Sequence, residues 1–193
     1  MKKVFIIHGF QGTPNGGWRP WLMAELEKKD IYACALPMPD PDHPVRSEWV
    51  DEIVRQIDWG ASDEVYLVGH SLGATAILRY LENDRARNIA GAVLVSGAIK
   101  GNEKSGVIDA FFESGYDFGK IKSKCDCFVV IHGDNDSRVP LSDAETVARE
   151  LDGKLVVIEN GGHLNAESGF LTLPQCLEAL ENIMDEAKPS PKV

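Results

Sequence analysis

Six short runs rich in Val, Ile, Leu and aromatic residues, at roughly 3–7, 31–36, 64–69, 91–96, 127–132 and 154–158, alternate with longer stretches of helical pattern. Several of these runs are apolar without polar alternation, which marks strands buried on both faces. Strands of that kind belong in a parallel sheet, whose connections must cross over and do so as helices. The expected fold is therefore α/β and doubly wound: a six-stranded, mostly parallel sheet with helices on both faces. A length of 193 residues fits one domain, taken here as 1–187, with the tail 188–193 (KPSPKV) expected to fray.

The helical stretches carry their own punctuation. Trp49, Ile53, Val54 and Ile57 fall on one helical face, while Glu48, Asp51, Glu52 and Arg55 fall on the other. Ser142-Asp-Ala-Glu145 and Thr172-Leu-Pro-Gln175 fit capping boxes, predicting helix starts near 143 and 173. Ala74–Leu81 is a further helix that follows a strand with almost no loop between them.

Composition narrows the function. Thirty acidic against twenty basic residues give a net charge of −10, a sign that repels the phosphates of a nucleic acid. No nucleic-acid partner is expected. Nor is a membrane partner, because no run approaches the ~18 apolar residues of a spanning helix, and Val4–Ile7 is too short for a secretory signal. Cys34, Cys125, Cys127 and Cys176 lack zinc-finger or CxxC spacing, so reduced thiols in a cytoplasmic protein are expected. Nothing in the sequence fixes an oligomeric state.

The chemistry centres on Gly69-His70-Ser71-Leu72-Gly73, a G-x-S-x-G pentapeptide between a buried strand and a helix. That context places Ser71 on a tight strand-to-helix turn at the carboxyl edge of the sheet, with its hydroxyl exposed. A serine hydroxyl needs a base to take its proton, and the base needs an acid to hold its tautomer. Both are sought in loops at the same edge. Of five histidines, His8 and His132 end strands, His70 flanks the serine and His43 lies in a Pro/Asp-rich loop. His163, carried on Gly161-Gly162 after the sixth strand, is the candidate base. The acid lies in His132-Gly-Asp-Asn-Asp-Ser-Arg-Val-Pro140, where Asp136 is favoured over Asp134 for its longer reach beyond the strand. Asp134 is better suited to closing the turn.

Acyl transfer through a tetrahedral intermediate also needs two N–H donors for the developing oxyanion. The amide of Leu72 is one candidate. The glycine-rich loop His8-Gly-Phe-Gln-Gly12 supplies the other, with Phe10 favoured and Gln11 the alternative. This loop lacks the G-x-G-x-x-G or G-x-x-x-x-G-K-[ST] spacing of a nucleotide site. Gln11, His70, Trp18 and Phe111 are the candidate pocket residues; Trp21 and Phe112 are further aromatics considered for the pocket walls. No metal and no cofactor is expected.

HGFQGTPNGGWRPWL, LPMPDPDHP, LVGHSLGATAILRYLE, HGDNDSRVP and GGHLN cover nearly all six strand ends. In these the chain resembles the small serine hydrolases of the α/β-hydrolase superfamily, more narrowly the retinoblastoma-binding protein nine family and its bacterial members. The resemblance implies a minimal α/β-hydrolase fold without a large lid, and carries a catalytic triad onto Ser71, Asp136 and His163. It does not carry a pocket-protein partner, because Leu173-Pro-Gln-Cys176-Leu-Glu178 misses the L-x-C-x-E spacing by one residue. The expected function is a carboxylesterase-like serine hydrolase that cleaves a small-molecule ester substrate, or an amide or thioester, through an acyl-enzyme. A non-catalytic binding or scaffold protein on the same fold, and an acyltransferase using the same triad, are the alternatives. Short acyl chains, about two to six carbons, are expected, because the connection after the fourth strand is too short for a hinged cap.

Overall fold

The computed structural model describes residues 1–57, 63–101 and 106–186. The strands are β1 (Lys2–Ile7), β2 (Tyr32–Leu36), β3 (Glu64–His70), β4 (Gly91–Val95), β5 (Phe128–Gly133) and β6 (Lys154–Ile158). They form one sheet in the order β2-β1-β3-β4-β5-β6, and every neighbouring pair is parallel. The helices are α1 (Arg19–Glu27), α2 (Arg46–Gln56), α3 (Leu72–Leu81), α4 (Phe118–Lys122), α5 (Leu141–Glu150) and α6 (Pro174–Glu186). The expected tail 188–193 lies outside the described residues. Among the described residues no helix is long and apolar enough to cross a membrane.

The sheet divides two apolar cores, and the pleat of β3 shows why its sequence is apolar without alternation. Val65 and Leu67 enter a core with Trp49, Ile53, Ile77, Tyr80 and Val147, contributed by α2, α3 and α5. Tyr66 and Val68 enter the opposite core with Leu22, Leu26, Leu180 and Ile183, contributed by α1 and α6. Successive strand side chains point to opposite faces, so a strand covered on both sides has no polar position left. The edge strand β6 is only half-buried, as one uncovered side requires.

β1 carries β2 on one side and β3 on the other, so the loops leaving β1 and β3 diverge over opposite faces. That divergence opens a crevice at the carboxyl edge of the sheet, where open α/β sheets hold their ligands.

Both capping boxes are corrected by the structure. α5 starts at Leu141 behind Pro140, whose side chain offers no cap, and Ser142 falls inside the first turn. Asp143 instead reaches out of the helix to accept the N–H of Ile99 at 3.0 Å, fixing the segment that follows β4. α6 starts at Pro174, and the Oε1 of Gln175 is buried without a partner, so no reciprocal cap forms. Pro174 takes the first helical position of α6, where its fixed φ is pre-organised and its missing N–H costs nothing, whereas Pro140 stands extended just before α5.

The connection between β4 and β5 holds a short 3-10 helix, Gly106–Phe111, and then α4. It is clamped by Arg79 of α3. Nε of Arg79 donates to Phe111 O at 2.7 Å, Nη1 to Gly115 O at 2.6 Å and Nη2 to Glu113 O at 3.0 Å, and the guanidinium lies over the Tyr116 ring at 3.8 Å. Glu82 pairs with the same Nη1 at 2.7 Å. Truncating a buried cation leaves the carbonyls it served without a donor. Arg79→Met is expected to cost about 3 kcal/mol, read from denaturant midpoints, and to open residues 111–117 to proteolysis.

Candidate active site

β3 ends at His70 and α3 begins at Leu72, leaving Ser71 alone in the turn. Ser71 has φ 55° and ψ −122°, a conformation that costs an L-residue about 1–3 kcal/mol and persists only where its surroundings over-determine it. Its N–H is held by Val95 O at 2.8 Å, and its carbonyl accepts the N–H of Ala74 at 3.0 Å. The flanking glycines are required by space. A Cβ on Gly69 would lie 2.5 Å from the Ala74 backbone, and one on Gly73 would lie 2.2 Å from Ile7 O. This is the geometry of a nucleophile elbow.

His163 hangs over the serine from the loop after β6. Its Nε2 lies 2.9 Å from Ser71 Oγ, and its Nδ1 lies 2.7 Å from Asp136 Oδ2. The Asp136 side chain has no exposed surface. Its Oδ1 accepts the backbone N–H groups of Arg138 and Val139 at 2.8 and 3.1 Å. Burial pushes this carboxyl up, but the hydrogen bond and charge of His163 and the two amides outweigh it and hold it below its usual range.

The neighbouring acid, Asp134, accepts the N–H of Asn160 at 2.8 Å, so it braces the β6 loop and does not touch the histidine ring. Between the two, Asn135 accepts the N–H of Gly162 at 2.7 Å. The run Asp134-Asn135-Asp136 thus grips the histidine loop at three points. Gly133 and Gly162 are in close contact, since a Cβ on Gly133 would lie 2.2 Å from Gly162 O. Asn135 and Ser168, whose Oγ accepts the His163 N–H at 3.2 Å, are site residues that sequence reasoning missed. The D-N-D spacing beside a strand end is the signal that could have found Asn135.

His70 lines the crevice and supports the same loop. Burial, with the nearby charge of His163, pushes its pKa down to about 3, so the ring is neutral and its Nε2–H donates to His163 O at 2.9 Å. Trp18 packs edge-on against this ring with centroids 5.9 Å apart, and its indole N–H donates to Leu164 O at 2.9 Å. Trp18 is fully buried, so its part in the pocket is to form the floor beneath His70. Trp21 faces the core on the α1 side, away from the crevice.

The crevice encloses about 1010 Å³, and Phe10, Gln11, Ser71, Leu72 and His163 lie along it. The amide of Gln11 is committed to Pro41 O at 2.9 Å, in a residue with φ 54°. The Phe10 amide makes no backbone hydrogen bond among the described residues. Leu72 opens α3, where the first amides have no partner inside the helix. The expectation for Phe111 is corrected: it is fully buried, 5.7 Å from the Trp49 ring and edge-on to it, because the Arg79 clamp turns it inward. Ile108 and Phe112 line the crevice in its place.

An all-parallel sheet with a serine elbow at its carboxyl edge, faced by a histidine from the last strand's loop, defines a minimal α/β hydrolase. The chain belongs to the serine hydrolase family, whose model matches residues 4–182. It is similar to the putative hydrolase YdeN of Bacillus subtilis, with 34% identity over 93% of this chain and 94% of YdeN. The crystal structure of the ydeN gene product superposes with a TM-score of 0.87 over 96% of this chain and all of the other. The serine hydrolase RBBP9 of Rattus norvegicus is 28% identical over 83% of this chain and 86% of its own length. Est1E from Butyrivibrio proteoclasticus, at 18% identity and a TM-score of 0.73, covers 95% of this chain and 87% of its own and shares the fold. The chain is thus a hydrolase of the serine class.

The lowered Asp136 carboxyl has a consequence for stability. Its contribution is complete above the unfolded value of 3.8 and is lost as the pH falls through the lower folded value. Asp136→Asn is therefore expected to be less stable than the parent at pH 7, by about 1–3 kcal/mol. The gap should narrow below about pH 4, measured by urea unfolding across that range.

Proposed function

We propose that this protein hydrolyses small carboxylic esters through an acyl-enzyme, with Ser71 as nucleophile, His163 as general base and acid, and Asp136 holding the histidine. The observation that carries this reading is the unbroken line Ser71 Oγ, His163 Nε2, His163 Nδ1, Asp136 Oδ2, with links of 2.9 and 2.7 Å. Ser71 Oγ attacks the ester carbonyl carbon while Nε2 takes its proton. Asp136, ionised and fully hydrogen-bonded, keeps Nδ1 protonated and Nε2 open to accept.

The carbonyl oxygen gains its negative charge beside the amides of Leu72 and Phe10. The Leu72 donor stands at the N-terminus of α3, whose dipole favours an anion there. Collapse of the intermediate expels the alcohol, which takes the proton from His163. Water then repeats the sequence on the acyl-enzyme and releases the carboxylic acid. The three links from the Asp134–Asp136 run and the bond from His70 hold the imidazole in place, which favours an aligned ground state over reorganisation at each turnover.

Ile108 and Phe112 wall one side of the crevice from a connection too short to form a hinged cap, which supports small, soluble esters over lipid aggregates. The volume of 1010 Å³ leaves room for a leaving group of appreciable size beside a short acyl chain.

Ser71→Ala is expected to abolish fluorophosphonate labelling and to lower ester turnover by on the order of a millionfold, with the fold intact. Turnover near that of the parent would overturn the reading. Asp136→Asn should lower kcat by up to roughly ten thousandfold by allowing the wrong histidine tautomer. Asp134→Asn, which can keep accepting the Asn160 N–H, should cost far less; steady-state kinetics on the two variants reverses the assignment if the losses are exchanged. In a p-nitrophenyl ester panel, acyl chains of about two to six carbons should be preferred, and faster turnover of emulsified long-chain triglyceride would reject the small-ester assignment.

A further inference from the structure

Arg19 occupies the first position of α1, directly after the buried Trp18, and lies on the wall of the same crevice as Ser71. Only 6% of its surface is exposed. Its Nε donates to Thr13 O at 3.0 Å, and no carboxylate among the described residues pairs with it. The other charged groups lining the crevice are differently placed: Arg138 pairs with Glu167, Asp143 is tied to the Ile99 amide, and Lys100 is exposed to solvent, while Asp136 behind the histidine is tied to His163.

Two physical costs meet at this one side chain. Burying a guanidinium is unfavourable unless it is paired, and burial drags this one down to about 10, which still leaves it protonated at neutral pH. A cation at a helix N-terminus opposes the helix dipole. An anion in the crevice would relieve both, since the start of α1 and the guanidinium both favour negative charge. With Nε committed to Thr13 O, Nη1 and Nη2 remain as a planar fork, the shape that receives both oxygens of a carboxylate.

We propose that Arg19 is a specificity residue that binds a carboxylate carried by the substrate, so that the preferred substrates are anionic esters. The proposal rests on the hydrolase reading of Ser71 and adds the substrate's charge class to it. The bulk charge of −10 does not oppose it, because a surface field is screened within about 8–10 Å in physiological salt, whereas a buried pair is screened much less.

The test compares charge-matched pairs. One arm places the carboxylate on the acyl side, with mono-p-nitrophenyl esters of glutaric, adipic and suberic acids against their neutral methyl diesters. The other places it on the alcohol side, with 4-butyryloxybenzoate against its methyl ester. In the parent protein at least one charged member is expected to exceed its neutral twin in kcat/KM. Arg19→Met should reduce that charged-to-neutral ratio by roughly ten- to hundredfold, and Arg19→Lys should restore part of it. The ratio is insensitive to a general loss of activity. Parity of every pair in the parent protein, or a ratio unchanged by Arg19→Met, overturns the proposal.

A binding measurement separates this from the hydrolase reading. In the Ser71→Ala protein, calorimetry should show the preferred anionic ester binding at least about tenfold more tightly than in Ser71→Ala/Arg19→Met. Loss of that difference overturns the role of Arg19 even if Ser71 proves to be the nucleophile. Its persistence supports Arg19 even if turnover fails. Should Arg19→Met fail to fold, Arg19→Lys keeps the charge and removes the planar fork, so its charged-to-neutral ratio should fall below that of the parent protein, and an unchanged ratio overturns the proposal.

Discussion

The approach of α3 to β1 governs the site. Gly73, in the first turn of α3, packs so closely on the β1 terminus that a Cβ there would sit 2.2 Å from Ile7 O and 2.6 Å from His8 O. The helix can therefore begin directly over the end of β1, and Ser71 is forced into its φ 55° turn with no loop to relax it. The energy stored in that turn is retained because the sheet on one side and the helix on the other are both fixed by large apolar cores. Everything that meets Ser71 Oγ, including the loop from β1 that brings Gly9 against it, is positioned relative to this contact.

The histidine is held in a different way. No regular element carries His163; it rides on a loop with Gly162 at φ 54° and Leu164 at φ 49°. Such a segment has little intrinsic order, and its geometry comes from outside. Asp134, Asn135 and Asp136 accept from Asn160, Gly162 and the His163 ring, while His70 donates to the His163 carbonyl. The strand end of β5 thus acts as a template for the loop after β6. Because β5 and β6 are adjacent and parallel, with Gly133 opposite Ile158, the two loops leave the sheet side by side. A short run of polar residues suffices to join them.

Charge is distributed with the same economy. The carboxylates of the crevice each have a partner, and Arg19 is a buried cation with no carboxylate partner among the described residues, its hydrogen bond going to Thr13 O. Arg79 makes the contrast plain. It is as buried as Arg19, but three backbone carbonyls, Glu82 and an aromatic ring surround it, and its role is to hold the β4–β5 connection. Two buried arginines in one protein therefore differ in kind: one is satisfied by the fold and the other faces the space where a substrate would lie.

The parallel sheet, the serine turn and the histidine were legible in the sequence because each rests on local rules. Strands buried on both faces must be apolar throughout, and a serine between a strand and a helix with glycines two residues away can take one backbone path. Strand ends were accordingly placed within about a residue of where they lie. What local rules could not settle was which of two neighbouring groups faces the crevice. Asp136 meets the ring and Asp134 does not, because the ladder between β5 and β6 sets which position reaches across. Phe112 lines the crevice and Phe111 does not, because Arg79, distant in sequence, fixes the direction of that turn. The amide of Gln11 is removed from the choice of oxyanion donors by Pro41, another distant residue. The isolation of Arg19 is likewise visible only in three dimensions, since a sequence names charges but the packing of the chain decides which of them find partners.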